Sequence, residues 1–114
     1  MLRGVLLACA LLATKAEAEE ALVLCSGCYK QELMRDIVEL SDDDGMMLAY
    51  QYIKDGKCAP TIATLADWDA GPVIRDTGVK AVYVSIYNWT NGNLPDQLPP
   101  KQLMYFDARA GTRE

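Results

Sequence analysis

Between Tyr29 and Leu40 the apolar side chains fall at Tyr29, Leu33, Ile37 and Leu40, with Met34 and Val38 beside them. Lys30, Glu32, Arg35, Asp36 and Glu39 take the other face. A stripe at i, i+4 and i+7 marks a helix with one buried side, so the spacing predicts a helix here. Ser41-Asp42-Asp43-Asp44 then stops one helix and starts another. Ser or Asp accepts the unpaired amide hydrogens of a first turn, and carboxylates there oppose the helix dipole. Met46, Ala49, Tyr50 and Ile53 supply a second stripe, and Gly56 stands where a left-handed C-terminal cap belongs. Two helices with so short a link run nearly antiparallel.

After Cys58 the period changes. Thr61–Leu65, Pro72–Ile74, Val79–Tyr87 and Gln102–Phe106 are short, β-branched or aromatic runs bounded by Gly, Pro and Asp, which predicts strands. In the third run Val82, Val84 and Ile86 alternate with Ala81, Tyr83 and Ser85, the period-two sign of a sheet with one face buried. Asn88–Lys101 reads as a long loop, with three of the five prolines and an Asn91-Gly92 turn signal. Asp67-Trp68-Asp69-Ala70-Gly71 reads as a turn. The expected fold is α+β: an N-terminal helical hairpin followed by a small antiparallel sheet, for which an SH3-like half-barrel is the nearest analogy.

Residues 1–18 have the layout of an export leader. Arg3 is its charge, Gly4–Ala13 its apolar run of ten, and Ala16 and Ala18 the small residues at −3 and −1 of a cut. Spanning a bilayer takes about 20 apolar residues, so the run is too short for an anchor. Lipid attachment at Cys9 would leave only eight residues before it, too few for a charged segment and an apolar core of about 7–15 residues. Leu22-Val23-Leu24 before Cys25 lacks the small residue lipid attachment wants. The chain thus divides into a cleaved signal peptide (1–18), a single α+β domain (19–108) and a mobile tail (109–114), destined for a secreted or periplasmic location. Cleavage removes Arg3, Lys15 and Glu17, leaving 96 residues and shifting the net charge from −5 to −6. That balance disfavours nucleic acid and anionic membranes and leans toward a basic protein partner.

There is no histidine, so Ser-His-Asp and Cys-His pairs and the commonest metal ligand are absent. Carboxylate-pair chemistry remains open in principle, but no two acids stand out. Asp42, Asp43 and Asp44 lack the alternating spacing, sixth-position glycine and twelfth-position glutamate of a calcium loop, and read as a solvated helix start. No metal site and no cofactor is expected. Asn88-Trp89-Thr90 matches a glycosylation sequon, which matters only in a eukaryotic secretory pathway. Trp68, Trp89, Tyr83, Tyr87 and Tyr105 line the core or furnish a binding face. Trp89 in its polar loop, with Asn91 and Tyr87, is the candidate binding cluster.

The cysteines admit three readings. After cleavage Cys25, Cys28 and Cys58 remain, in an oxidising compartment where a structural disulfide is the default. In an antiparallel hairpin the start of the first helix lies beside the end of the second, which favours a Cys28–Cys58 staple. Exchanging Cys25 for Cys28 gives nearly the same geometry. Cys25 is then left over, open to pairing with a second chain as a dimer. The second reading is redox: a strand-like run, Cys25-Ser26-Gly27-Cys28, then a helix whose N-terminus would activate a thiol. Too few residues precede Cys25 for a thioredoxin-like fold, and two helices follow in succession. The third is zinc held by three thiolates and a carboxylate, which suits exported thiols poorly. The functional expectation is an exported small binding protein (inhibitor, immunity-type or envelope accessory factor) acting through protein–protein contact. The alternative is a thiol–disulfide oxidoreductase using Cys25 and Cys28.

Overall fold

The structure is a computed structural model and describes residues 10–13, 21–87 and 97–109. The elements are β1 (Ala10–Ala13), β2 (Ala21–Cys28), α1 (Gln31–Val38), α2 (Asp42–Lys54), β3 (Cys58–Thr64), α3 (Leu65–Ala70), β4 (Val73–Ile74), β5 (Val79–Ile86) and β6 (Lys101–Asp107). The class is α+β, and every strand pairing among the described residues is antiparallel. The helical hairpin is inserted between β2 and β3, so a strand precedes it. The strand order is β1-β2-β3-β5-β4, and β6 joins both β5 and β2. Through the pair Cys28↔Tyr105 the sheet curls back on itself, making a ring of β2, β3, β5 and β6. The half-barrel analogy extends no further than this curl. β1, which falls within the expected leader, lies along β2 with Ala10 opposite Leu24 and Ala13 opposite Ala21.

Period-two alternation sends one set of side chains inside the ring and the other outside. Inside are Val23, Cys25, Ala63, Val82, Val84, Met104 and Phe106, with Trp68 of α3 closing the cluster. Trp68 meets Phe106 edge-on, centroids 5.0 Å apart, the geometry favoured by aromatic quadrupoles. Outside, Cys28, Cys58 and Val79 are covered by Met34 and Ile37 of α1, with Leu48, Ala49, Tyr52 and Ile53 of α2 packed around them. Both faces of the sheet are therefore used, where the alternation in β5 suggested one. Ala81 and Ser85, on the outer face, are buried alongside Val82 and Val84.

The ends of the helices follow their local chemistry. Ser41 accepts a hydrogen bond from the Asp44 amide at 3.3 Å, with Asp42, Asp43 and Asp44 in the first turn of α2. At its other end Gly56 takes φ +79°. The Gly56 amide donates to the Ile53 carbonyl and the Lys57 amide to that of Tyr52, the two bonds of a Schellman cap. The buried face of α2 is rotated from the predicted stripe. Tyr50 is exposed, and Leu48, Ala49 and Tyr52 pack inward. Gly45 sets that rotation, because a Cβ there would lie 2.8 Å from the Ile37 carbonyl oxygen. The helices touch at their smallest residue, which a hydrophobic pattern does not register.

Two further expectations change. Asp67–Gly71 is not a simple turn, because Leu65–Ala70 is helical and capped by Thr64, whose hydroxyl accepts from the Asp67 amide at 3.1 Å. Arg109, assigned to the tail, is anchored. Its Nη2 and Nε donate to Asp107 at 2.8 and 3.1 Å, and these bonds to a buried carboxylate raise the guanidinium pKa. Residues 110–114 lie outside the described residues.

Candidate functional site

Cys25-Ser26-Gly27-Cys28 lies wholly within β2, and α1 begins only at Gln31. Cys28 is thus the last residue of a strand and not the first of a helix. Three residues apart on a strand, the Cys25 and Cys28 side chains point to opposite faces. Cys25 belongs to the interior cluster and Cys28 to the one beneath the helices. Cys28 is bonded to Cys58, its direct cross-strand partner. Cys25 is disulfide-bonded as well, through a partner outside the described residues. In the 114-residue chain it is therefore paired, whereas the expectation that it is left over was made for the chain without residues 1–18. Gly27 has a packing reason of its own: a Cβ there would lie 2.6 Å from two ring carbons of Phe106. Three of the four positions of the motif thus have a structural task. Among the described residues no three His, Cys, Asp or Glu side chains gather as metal ligands.

Of the residues chosen for binding, Tyr87 directly follows β5 and is half-buried, and its amide donates to the Pro60 carbonyl at 3.1 Å. Trp89 and Asn91 lie outside the described residues. The C-terminal end of the connection that carries them is fastened to β5 and to α3. Ser85 Oγ donates to the Pro99 carbonyl at 2.6 Å, and Lys101 Nζ lies 2.6 Å from Asp67 Oδ2 on α3.

Beside these anchors is a pair that hydrophobic alternation alone did not single out as a unit. Tyr83 of β5 and Leu103 of β6 are direct cross-strand partners on the outer face, and they remain 59% and 39% exposed. Each is flanked along its strand by buried residues of the opposite phase: Val82 and Val84 around Tyr83, Met104 after Leu103. The signal available in sequence was the phase. In Gln102–Phe106, Met104 and Phe106 share the inward parity, leaving Leu103 outward. Beyond Tyr105 no strand among the described residues adjoins β6 on the side away from β5.

A concavity of about 500 Å³ lies between the start of α1 and the end of α2, lined by Tyr29, Lys30, Glu32, Leu33, Gly56 and Lys57. The disulfide-bonded strand ends flank it. Elsewhere the titrating groups serve packing. Burial lowers the Lys80 pKa, opposed by Asp69, as its Nζ lies 4.8 Å from the Trp68 ring centroid. Burial, and then the hydrogen bond its hydroxyl donates to Asp36 at 3.2 Å, raises the Tyr52 pKa and ties α2 to α1. Among the described residues no helix is long and apolar enough to cross a membrane. No protein-family model, curated protein sequence or solved structure matches this chain.

Proposed function

We propose that the chain is an exported small binding protein, of the inhibitor, immunity or envelope-accessory kind, acting by contact with another protein. The observation that carries this reading is the exposed Tyr83–Leu103 pair on adjacent strands. An aromatic and an aliphatic side chain held on a rigid sheet lose little conformational freedom on binding, and such residues anchor interfaces. The pair lies near the Ser85↔Lys101 end of the β5–β6 pairing, close to Tyr87. A net charge of −5 for the whole chain, more negative still after loss of the leader, favours a basic partner surface, mainly through the rate of encounter.

The test is crosslinking in the producing cells, with wild type compared against Tyr83→Ser/Leu103→Ser. Melting temperature serves as the control for an intact fold. A specific crosslinked partner that disappears in the variant, with melting unchanged, supports the reading. The same partner at undiminished yield refutes this surface. Turnover of a disulfide substrate by the wild type, lost in Cys25→Ala, would move the function to thiol exchange.

A further inference from the structure

We propose that the outward face of α2 pairs with the same face of a second copy, the two helices running antiparallel in a symmetric dimer. This surface is separate from Tyr83–Leu103 and stands without the role given to that pair.

The helix has two opposed sides. At about 100° per residue, Asp43, Met47, Tyr50 and Lys54 fall within an arc of about 60°. Gly45, Leu48, Ala49 and Tyr52, which hold α2 against the rest of the chain, occupy the opposite side. All four residues of the outer arc are exposed, Met47 by 67% and Tyr50 by 58%. Their spacing alternates four, three and four residues, the a/d rhythm of a seam between two helices. The packing of the hairpin leaves that seam unused among the described residues.

The occupant follows from the order of the charges. Read along α2, the seam is acid, methionine, tyrosine, base, and Asp43 and Lys54 stand equally far from the midpoint between Met47 and Tyr50. A twofold axis through that midpoint lays Met47 against the Tyr50 of the second copy, and Asp43 against its Lys54 at both ends. Parallel pairing would instead set acid against acid and base against base. Among the described residues neither Asp43 nor Lys54 is ion-paired within the chain, so both charges are available. The other carboxylates at the two ends of the helix, Asp42, Asp44 and Asp55, lie about 100° off the seam. One helix of 13 residues from each copy is a small interface, so the expected dissociation constant is about 100 µM.

The experiment uses the 114-residue chain with its disulfides intact, in sedimentation equilibrium from about 10 µM to 1 mM. The apparent mass rises toward twice that of one chain. Met47→Lys/Tyr50→Lys abolishes the rise, and because both side chains are exposed the fold survives, as circular dichroism checks. Lys54→Glu places carboxylates opposite Asp43 at both ends and weakens association about tenfold. Adding Asp43→Lys to it exchanges the two charges and restores association to within about threefold of wild type. In the wild type, a zero-length carbodiimide crosslink from Asp43 to Lys54 forms only between copies, since within one helix the two lie about 16 Å apart. A chain that stays monomeric to 1 mM overturns the proposal. So does a dimer undiminished in Met47→Lys/Tyr50→Lys, a folded charge-exchanged variant that does not reassociate, or a dimer that lacks the Asp43–Lys54 crosslink. Tyr83→Ser/Leu103→Ser dimerises as wild type does, which keeps the failure of one surface distinct from the failure of the other.

Discussion

Removing the Cys28–Cys58 bond by the double substitution Cys28→Ala/Cys58→Ala tests what holds the helical hairpin against the sheet. The bridge closes a loop of 30 residues. On the chain-entropy relation this restricts the unfolded ensemble by roughly 3.6 kcal/mol at room temperature. Both sulfurs are buried, against Met34, Ile37 and Val79, so truncation also removes packed atoms and adds to the loss. Small domains have about 5–15 kcal/mol in total, so the change takes a large share. With a urea m-value near 1.5 kcal/mol/M, the unfolding midpoint falls by about 2–3 M. Alanine is preferred to serine because it leaves no buried hydroxyl without a partner. A midpoint shift below about 0.7 M, equivalent to about 1 kcal/mol at that slope, would refute the reasoning. It would mean that β2–β3 pairing alone holds the two strand ends together.

Three further outcomes follow from named contacts. Gly27→Ala drives a methyl into the Phe106 ring and lowers stability by about 1–3 kcal/mol in urea unfolding; an unchanged midpoint would show that the ring moves aside freely. Thr64→Ala removes the cap of α3 and costs about 1 kcal/mol, with Trp68 fluorescence reporting the loosened packing; equal stability and emission would count against it. The Tyr52 pKa is raised above 10.0 in the folded chain. Its contribution is therefore complete below that value and is lost as pH rises through the folded pKa. Urea midpoints measured across that alkaline range should fall more steeply for wild type than for Tyr52→Phe, and parallel slopes would contradict this.

Much of the architecture could be read before the fold was known, because it was written in periods. The stripe at Leu33, Met34, Ile37 and Val38 is the buried side of α1, and the β-branched runs after Cys58 are β3 to β6. The hairpin also made Cys28–Cys58 the natural staple. What escaped had no periodic signature. Lys30 precedes α1 with no side-chain cap, so nothing marked the helix as starting at Gln31, and the C-x-x-C was placed at a helix end instead of within a strand. Gly45 turned α2 by a contact visible only in three dimensions. Leu65–Ala70 is too short for a helical period to show. The Tyr83–Leu103 pair depends on the β5–β6 register, which no single strand encodes. Trp89 and Asn91 lie beyond the described residues.

Non-reducing peptide mapping by mass spectrometry, on protein alkylated before purification from its producing cells, bears most directly on whether the cysteines brace the fold or do chemistry. A linked pair of peptides containing Cys28 and Cys58 is the predicted product. A dominant Cys25–Cys28 link with Cys58 alkylated would contradict it and return the motif to redox chemistry.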